Sequence, residues 1–220
     1  IMYVGLVEFG GRQFIASHSA SEGFISECVK LPKGLSNDEI IELIAEQPFF
    51  AELLMDRYSQ PIDPVQVLTN AMHNNIDELT DEQLAAMEFL INEGRRFDYA
   101  YNPNAESLRT HGCYSNALTA AEESDGELNY FEGVVIGLFK PMVGHAAVVD
   151  VEGSVHEVTY RPEKDAVFFG VEFSPHFARV MADEIGKTGI LPELAHKPEL
   201  ASLIQEHALG PIDDYLMAAE

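Results

Sequence analysis

The most constraining feature of this chain is a change of hydrophobic period near residue 129. From there "NYFEGVVIGLF", "VGHAAVVDVE" and "SVHEVTY" follow one another, broken only by Lys140-Pro141 and Glu152-Gly153. β-branched and aromatic side chains suit a pleated, half-buried surface, and Pro and Gly in the breaks end one strand and turn the chain toward the next. "AVFFGVEF", residues 166–173, reads as a further strand.

The residues before this switch are mostly helical in pattern. The opening "MYVGLVEFGGRQFIAS" is the exception, two β-prone runs around Gly10-Gly11 that predict a hairpin. Ser36 and Glu39 form a capping box ahead of a helix that Pro48 interrupts, and Phe49 to Tyr58 and Val65 to Met72 predict two more. Thr80 and Gln83 form a second capping box, with Leu79 and Leu84 as its hydrophobic staple and Gly94 as its stop. "RRFDYAYNPNAESL" reads as a polar, aromatic connection to a helix that opens at Cys113. After the strands, Ser174-Pro175 starts a helix that Gly186 ends, and a last helix runs from Pro198 to about Leu209. The predicted class is α+β: a helical N-terminal lobe, the Cys113 helix packed on an antiparallel β-sheet, and closing C-terminal helices.

Size and charge narrow the partners. A chain of 220 residues, 46% hydrophobic and 23% charged, is expected to fold as one globular domain. Its formal charge of −24 repels phosphate backbones and anionic membrane surfaces, so neither nucleic acid nor membrane is an expected partner, whereas a neutral or cationic one is allowed. The longest apolar run, Gly133 to Phe139, is too short to span a bilayer. The two cysteines, Cys28 and Cys113, make no disulfide framework, and no cleavable signal is read at the start. Reduced thiols and a cytoplasmic location are therefore expected.

The chemistry centres on Cys113. It follows Gly112 and opens a helix, where unpaired N–H groups favour thiolate over thiol and can also bind an oxyanion. A buried, inert cysteine is the bland alternative. A thiol nucleophile needs a base, and the base needs an acceptor on its other nitrogen. His145 on one strand and Glu157 on the next supply these two roles, although a core histidine and a solvated carboxylate are their bland alternatives. A zinc site from His111, Cys113, His145 and His156 is disfavoured, since no tight ligand pair exists, and no cofactor is called for. Glu132 is either a substrate-facing or a solvated strand carboxylate. Asn116 either donates near the oxyanion or faces water. Cys28 reads as structural.

Strand parity selects the acid. A two-residue Glu152-Gly153 turn would set Glu157 opposite Val148, away from His145. A three-residue turn, Val151-Glu152-Gly153, pairs Asp150 with Ser154 and sets Glu157 opposite Ala147, on the face of His145. Gly153 then takes the left-handed position that such a turn requires. The three-residue turn is expected, with Asp150 and His156 excluded.

Cys113, Tyr114 and Asn116, then Tyr130, Glu132 and Gly133, then His145 and Ala146, then Phe169, Gly170, Val171 and Phe173 resemble the papain-like and transglutaminase-like superfamily of Cys-His-Asp proteins, in the form of its small phage and bacterial members. The resemblance covers about residues 108 to 174, with 1–107 as an N-terminal elaboration and 175–220 as closing helices. Where that pattern has Asp-Pro, this chain has Glu157-Val158. The resemblance implies a cysteine acyl-transfer enzyme (peptidase, amidase, deamidase or transglutaminase-like) with Cys113, His145 and Glu157 catalytic. Gly112, Tyr114, Asn116 and Glu132 would lie near the substrate or oxyanion. A protein or peptide substrate, cationic if charge selects it, is the expected partner. The competing expectation is an inactive acidic binding protein that keeps the scaffold and engages a basic partner.

Overall fold

The computed structural model describes residues 62–101, 112–137, 142–159, 162, 166–210 and 212, together with the backbone of three earlier strands. The helices expected at Ser36–Pro48 and Phe49–Tyr58, and also His111, lie outside the described residues. Contacts divide the chain into two compact units, 1–62 with 137–141 and 63–136 with 142–220.

In the first unit, β1 (Met2–Phe9), β2 (Arg12–Ser19) and β3 (Ile25–Lys30) form an antiparallel sheet in that order. Phe9 pairs with Arg12, so β1 and β2 pair antiparallel as the hairpin reading expected, while Gly10-Gly11 lie outside the described residues. β3, which carries Cys28, is an addition to that hairpin.

The second unit begins with α1 (Pro64–Asn75), capped by the Asp63 carboxylate. α2 (Asp81–Glu93) follows, and its capping box is the expected one, Thr80 accepting from the Gln83 N–H while Gln83 accepts from that of Thr80. Gly94 closes α2 in an extended conformation, so the chain passes directly into β4 (Arg95–Tyr99). Then come α3 (Cys113–Glu122), β5 (Leu128–Ile136), β6 (Val143–Asp150), β7 (Ser154–His156) and β8 (Val167–Phe173). α4 (Pro175–Ile185), a 3-10 helix (Leu191–Ala195) and α5 (Leu200–His207) complete the unit.

The chain is α+β, but its second sheet is a closed barrel, β4-β7-β6-β5-β8, with one parallel pairing, and not the wholly antiparallel sheet expected. β4 makes the difference by pairing antiparallel with β8 and parallel with β7. "RRFDY", expected as connection, is a strand because it alternates: Phe97 is buried while Arg96 and Asp98 are exposed. Arg95 lies 4.0 Å over the Phe97 ring and pairs with Glu172.

Alternation assigns two faces to β5 and β6. Phe131, Val135, Ala147 and Val149 join Phe97, Val155, Ala166 and Phe168 in one buried cluster. Phe131 meets Phe97 edge-on with ring centroids 5.1 Å apart. Each buried Phe or Val side chain of this cluster contributes about 1.5–3 kcal/mol relative to exposure. His145 has the parity of this inward face. The other face, with Tyr130, Glu132, Val134, Ala146 and Val148, is buried too, and α3 covers part of it with Ala117, Leu118 and Ala121. Gly133 stands between Gly170 and His145 in the sheet. A Cβ on Gly133 would come within 2.3 Å of the Phe169 carbonyl oxygen, and one on Gly170 within 2.3 Å of that of Glu132. Glycines here let the strands close and leave room for the Phe131 ring.

Candidate active site

Cys113 is the first residue of α3, and Gly112 before it has φ 103°, a left-handed conformation that only glycine adopts without strain. No side chain caps this helix, so no cap competes for its first N–H groups. The tight Gly-Cys entry is the one expected from the sequence.

The turn between β6 and β7 delivers the acid. Val148 pairs with His156 and Val149 with Val155, a register that sets Asp150 against Ser154 and leaves Val151, Glu152 and Gly153 as the turn. Gly153 has φ 85° and donates its N–H to the Asp150 carbonyl at 3.0 Å. The Asp150 carboxylate is occupied by this turn, Oδ1 accepting from the N–H groups of Glu152 and Ser154 and Oδ2 lying 2.6 Å from His156 Nε2. Asp150 and His156 thus pair with each other, and the three-residue register expected from Gly153 holds.

Glu157 then faces His145. Its Oε2 lies 2.6 Å from His145 Nε2, and its Oε1 accepts from the N–H groups of Val158 and Thr159 at 2.9 and 3.1 Å. The His145 and Glu157 side chains are only 2% and 5% exposed, so this is a buried, hydrogen-bonded pair. With Nε2 engaged, Nδ1 is the nitrogen left to His145 for its hydrogen bond with Cys113.

The electrostatics favour a thiolate–imidazolium pair. Burial raises the Cys113 thiol, but hydrogen bonds from His145 and from the Ala146 and Tyr114 N–H groups outweigh it, and the pKa falls below its usual value of 9.0. For His145, burial favours the neutral ring, yet Cys113 and Glu157 together raise it to about 9. A thiolate so held is able to attack an electrophilic carbon while the imidazolium stands ready to give up a proton.

Glu132 and Asn116 each make a contact that ties the elements around the site together. Glu132 is 1% exposed, so the solvated alternative does not hold. Its Oε1 accepts from Tyr130 Oη and the Ile190 N–H, both at 2.7 Å, and its Oε2 from the Leu191 N–H at 2.9 Å. Burial pushes its carboxyl up to about 7 against the pull of those donors. Glu132 therefore anchors the start of the 3-10 helix to β5. Asn116 donates from Nδ2 to Thr159 Oγ1 at 3.2 Å, which ties α3 to the segment bearing Glu157. Tyr114 is half-buried beside Gly144 and Gly189, its phenol held protonated chiefly by burial and then by the charges of Glu132 and Cys113.

The sequence did not single out Thr159 or the N–H groups of Ala146, Val158 and Thr159. Backbone donors carry no residue signature, and Thr159 becomes relevant only once its segment lies beside α3. Among the described residues no group of three or more His, Cys, Asp or Glu side chains is placed to hold a metal ion, and no helix is long and apolar enough to cross a membrane. No protein-family model, curated protein or solved structure matches the chain.

Proposed function

We propose that this protein is a thiol-dependent acyl-transfer enzyme of papain-like or transglutaminase-like type. The observation that carries the reading is the unbroken relay from Cys113 through His145 to Glu157, each member bonded to the next. Cys113 Sγ attacks the carbonyl carbon of an amide or ester, and the C=O electron pair moves to oxygen, stabilised by N–H groups of the first turn of α3. Collapse of that intermediate breaks the bond to the leaving group, which takes its proton from His145, and leaves a thioester on Cys113. Water or an amine then attacks the thioester, His145 accepts its proton, and Sγ departs as thiolate. Glu157 holds the imidazole so that Nδ1 faces sulfur throughout.

Reactive thiols persist in reducing compartments, which supports a cytoplasmic site of action. The charge of −24 supports a neutral or cationic protein or peptide substrate. The test is 4-nitrophenyl acetate. A burst of nitrophenolate with acetyl found on Cys113 by peptide mass spectrometry, absent in Cys113→Ala, is the expected result. Turnover that survives Cys113→Ala would reject the reading.

A further inference from the structure

The hydrogen bonds around the relay form a ring. Cys113 is hydrogen-bonded to His145, and His145 to Glu157. Glu157 Oε1 accepts from the Thr159 N–H at 3.1 Å, and Thr159 Oγ1 accepts from Asn116 Nδ2 at 3.2 Å. The Asn116 N–H donates to the Gly112 carbonyl at 2.9 Å, which closes the first turn of α3 over Cys113. The path has returned to the nucleophile.

The segment bearing the acid needs such a tie. β7 ends at His156, whose partner on β6 is Val148, so Glu157, Val158 and Thr159 lie beyond the sheet ladder. Strand parity aims the Glu157 side chain at His145 but does not fix how closely this segment approaches α3. The apolar packing of α3 on β5 and β6 is non-directional, whereas a hydrogen bond weakens steeply with distance and angle. Thr159 is buried and Asn116 half-buried, so water competes little for the bond between them.

We propose that Asn116 and Thr159 are positioning residues for the reaction. Their hydrogen bond holds the first turn of α3 against the segment bearing Glu157 and so keeps Cys113 Sγ within bonding distance of His145. This rests on the acyl-transfer reading of Cys113 and extends it, since two residues outside the relay then set the approach of thiol to imidazole. The rival role for Asn116 is that of an oxyanion donor. A positioning residue acts on the thiolate itself, whereas an oxyanion donor acts only once a carbonyl is attacked.

Iodoacetamide separates the two roles, because Sγ displaces iodide from a saturated carbon and no oxyanion forms. The experiment follows Cys113 alkylation by iodoacetamide against pH, burst acylation by 4-nitrophenyl acetate, and urea unfolding. The proteins are the parent, Asn116→Ala, Thr159→Val, Thr159→Ser and the double variant Asn116→Ala with Thr159→Val. Thr159→Val keeps the side-chain volume and the N–H bonded to Glu157 while deleting the hydroxyl. In Asn116→Ala and Thr159→Val, alkylation at about pH 6.5 is expected to slow about three- to tenfold, as loss of one hydrogen bond allows. The midpoint of the alkylation profile is expected to move toward that of an ordinary thiol. The double variant is expected to be no slower than either single one, and Thr159→Ser to restore the parent profile. If urea midpoints fall while the alkylation profiles stay those of the parent, the bond is only structural and the proposal is overturned. If Asn116→Ala slows acylation but not alkylation, Asn116 is an oxyanion donor; the proposal is overturned and the acyl-transfer reading stands. If Cys113 of the parent titrates as an ordinary thiol, the acyl-transfer reading itself fails and the proposal with it.

Discussion

Glu157 Oε2 lies 2.6 Å from His145 Nε2, twelve residues and one tight turn away. The carboxylate is held from its other oxygen by the two N–H groups that follow it, so its position is set independently of the imidazole. Replacing Glu157 with Gln keeps the size and one acceptor oxygen but turns an N–H donor toward Nε2. The ring then has to carry its proton on Nδ1, facing sulfur, and cannot accept one there. Glu157→Gln is expected to fold and to lose on the order of 10²–10⁴ in kcat, measured as thioester formation in stopped flow. Full activity would show that Glu157 is only a buried partner.

The turn itself is testable. Val151 is 85% exposed and contributes no packing, yet its deletion would shorten the turn to two residues and move Glu157 to the other face of β7. That deletion is expected to abolish thioester formation, whereas Val151→Ser is expected to change neither activity nor stability beyond about 0.5 kcal/mol. Gly153→Val, at φ 85°, is expected to lower stability by about 1–2 kcal/mol, read from the urea midpoint.

These two residues also mark what was legible in advance. Gly153 fixed the turn length and so the parity of Glu157, and Gly112-Cys113 fixed the helix entry, because each is a local backbone requirement. β4 was not legible as the barrel's closing strand. Its alternation of Phe97 and Tyr99 with Arg96 and Asp98 stands in the sequence, but its parallel partner β7 lies more than fifty residues on. Glu132 escaped for a similar reason. A lone carboxylate in an apolar strand reads as solvated or functional until the N–H groups of Ile190 and Leu191, nearly sixty residues later, are found against it. Asn116 and Thr159 are likewise partners across forty-three residues.

The glycine pair makes a stability prediction. Gly133→Ala or Gly170→Ala places a Cβ within 2.3 Å of backbone that cannot retreat without opening the barrel. Each is expected to cost about 1–3 kcal/mol or more in urea unfolding. Gly126→Ala, at an open turn with φ 86°, is expected to cost only about 1 kcal/mol.

The pH dependence follows from the raised imidazole and lowered thiol. The folded pKa of His145, about 9, exceeds its ordinary 6.5. Its contribution to stability is therefore fully present below about pH 6.5 and is lost as pH rises through about 9. Wild-type protein should lose stability across that window relative to His145→Gln. kcat/KM should be bell-shaped, rising as the Cys113 thiol ionises below its usual 9.0 and falling near pH 9 as the imidazolium disappears. A profile that simply rises with an ordinary thiol would contradict the pair.

The most direct measurement is competitive labelling of the two cysteines. Native protein is treated with limiting iodoacetamide at about pH 6.5, where an ordinary thiol is roughly 99% protonated, and the alkylated peptides are quantified by mass spectrometry. The expected result is alkylation of Cys113 far ahead of Cys28, with that preference lost in His145→Ala. Equal labelling of the two, or a Cys113 rate indifferent to His145→Ala, would contradict the assignment of Cys113 as an activated nucleophile.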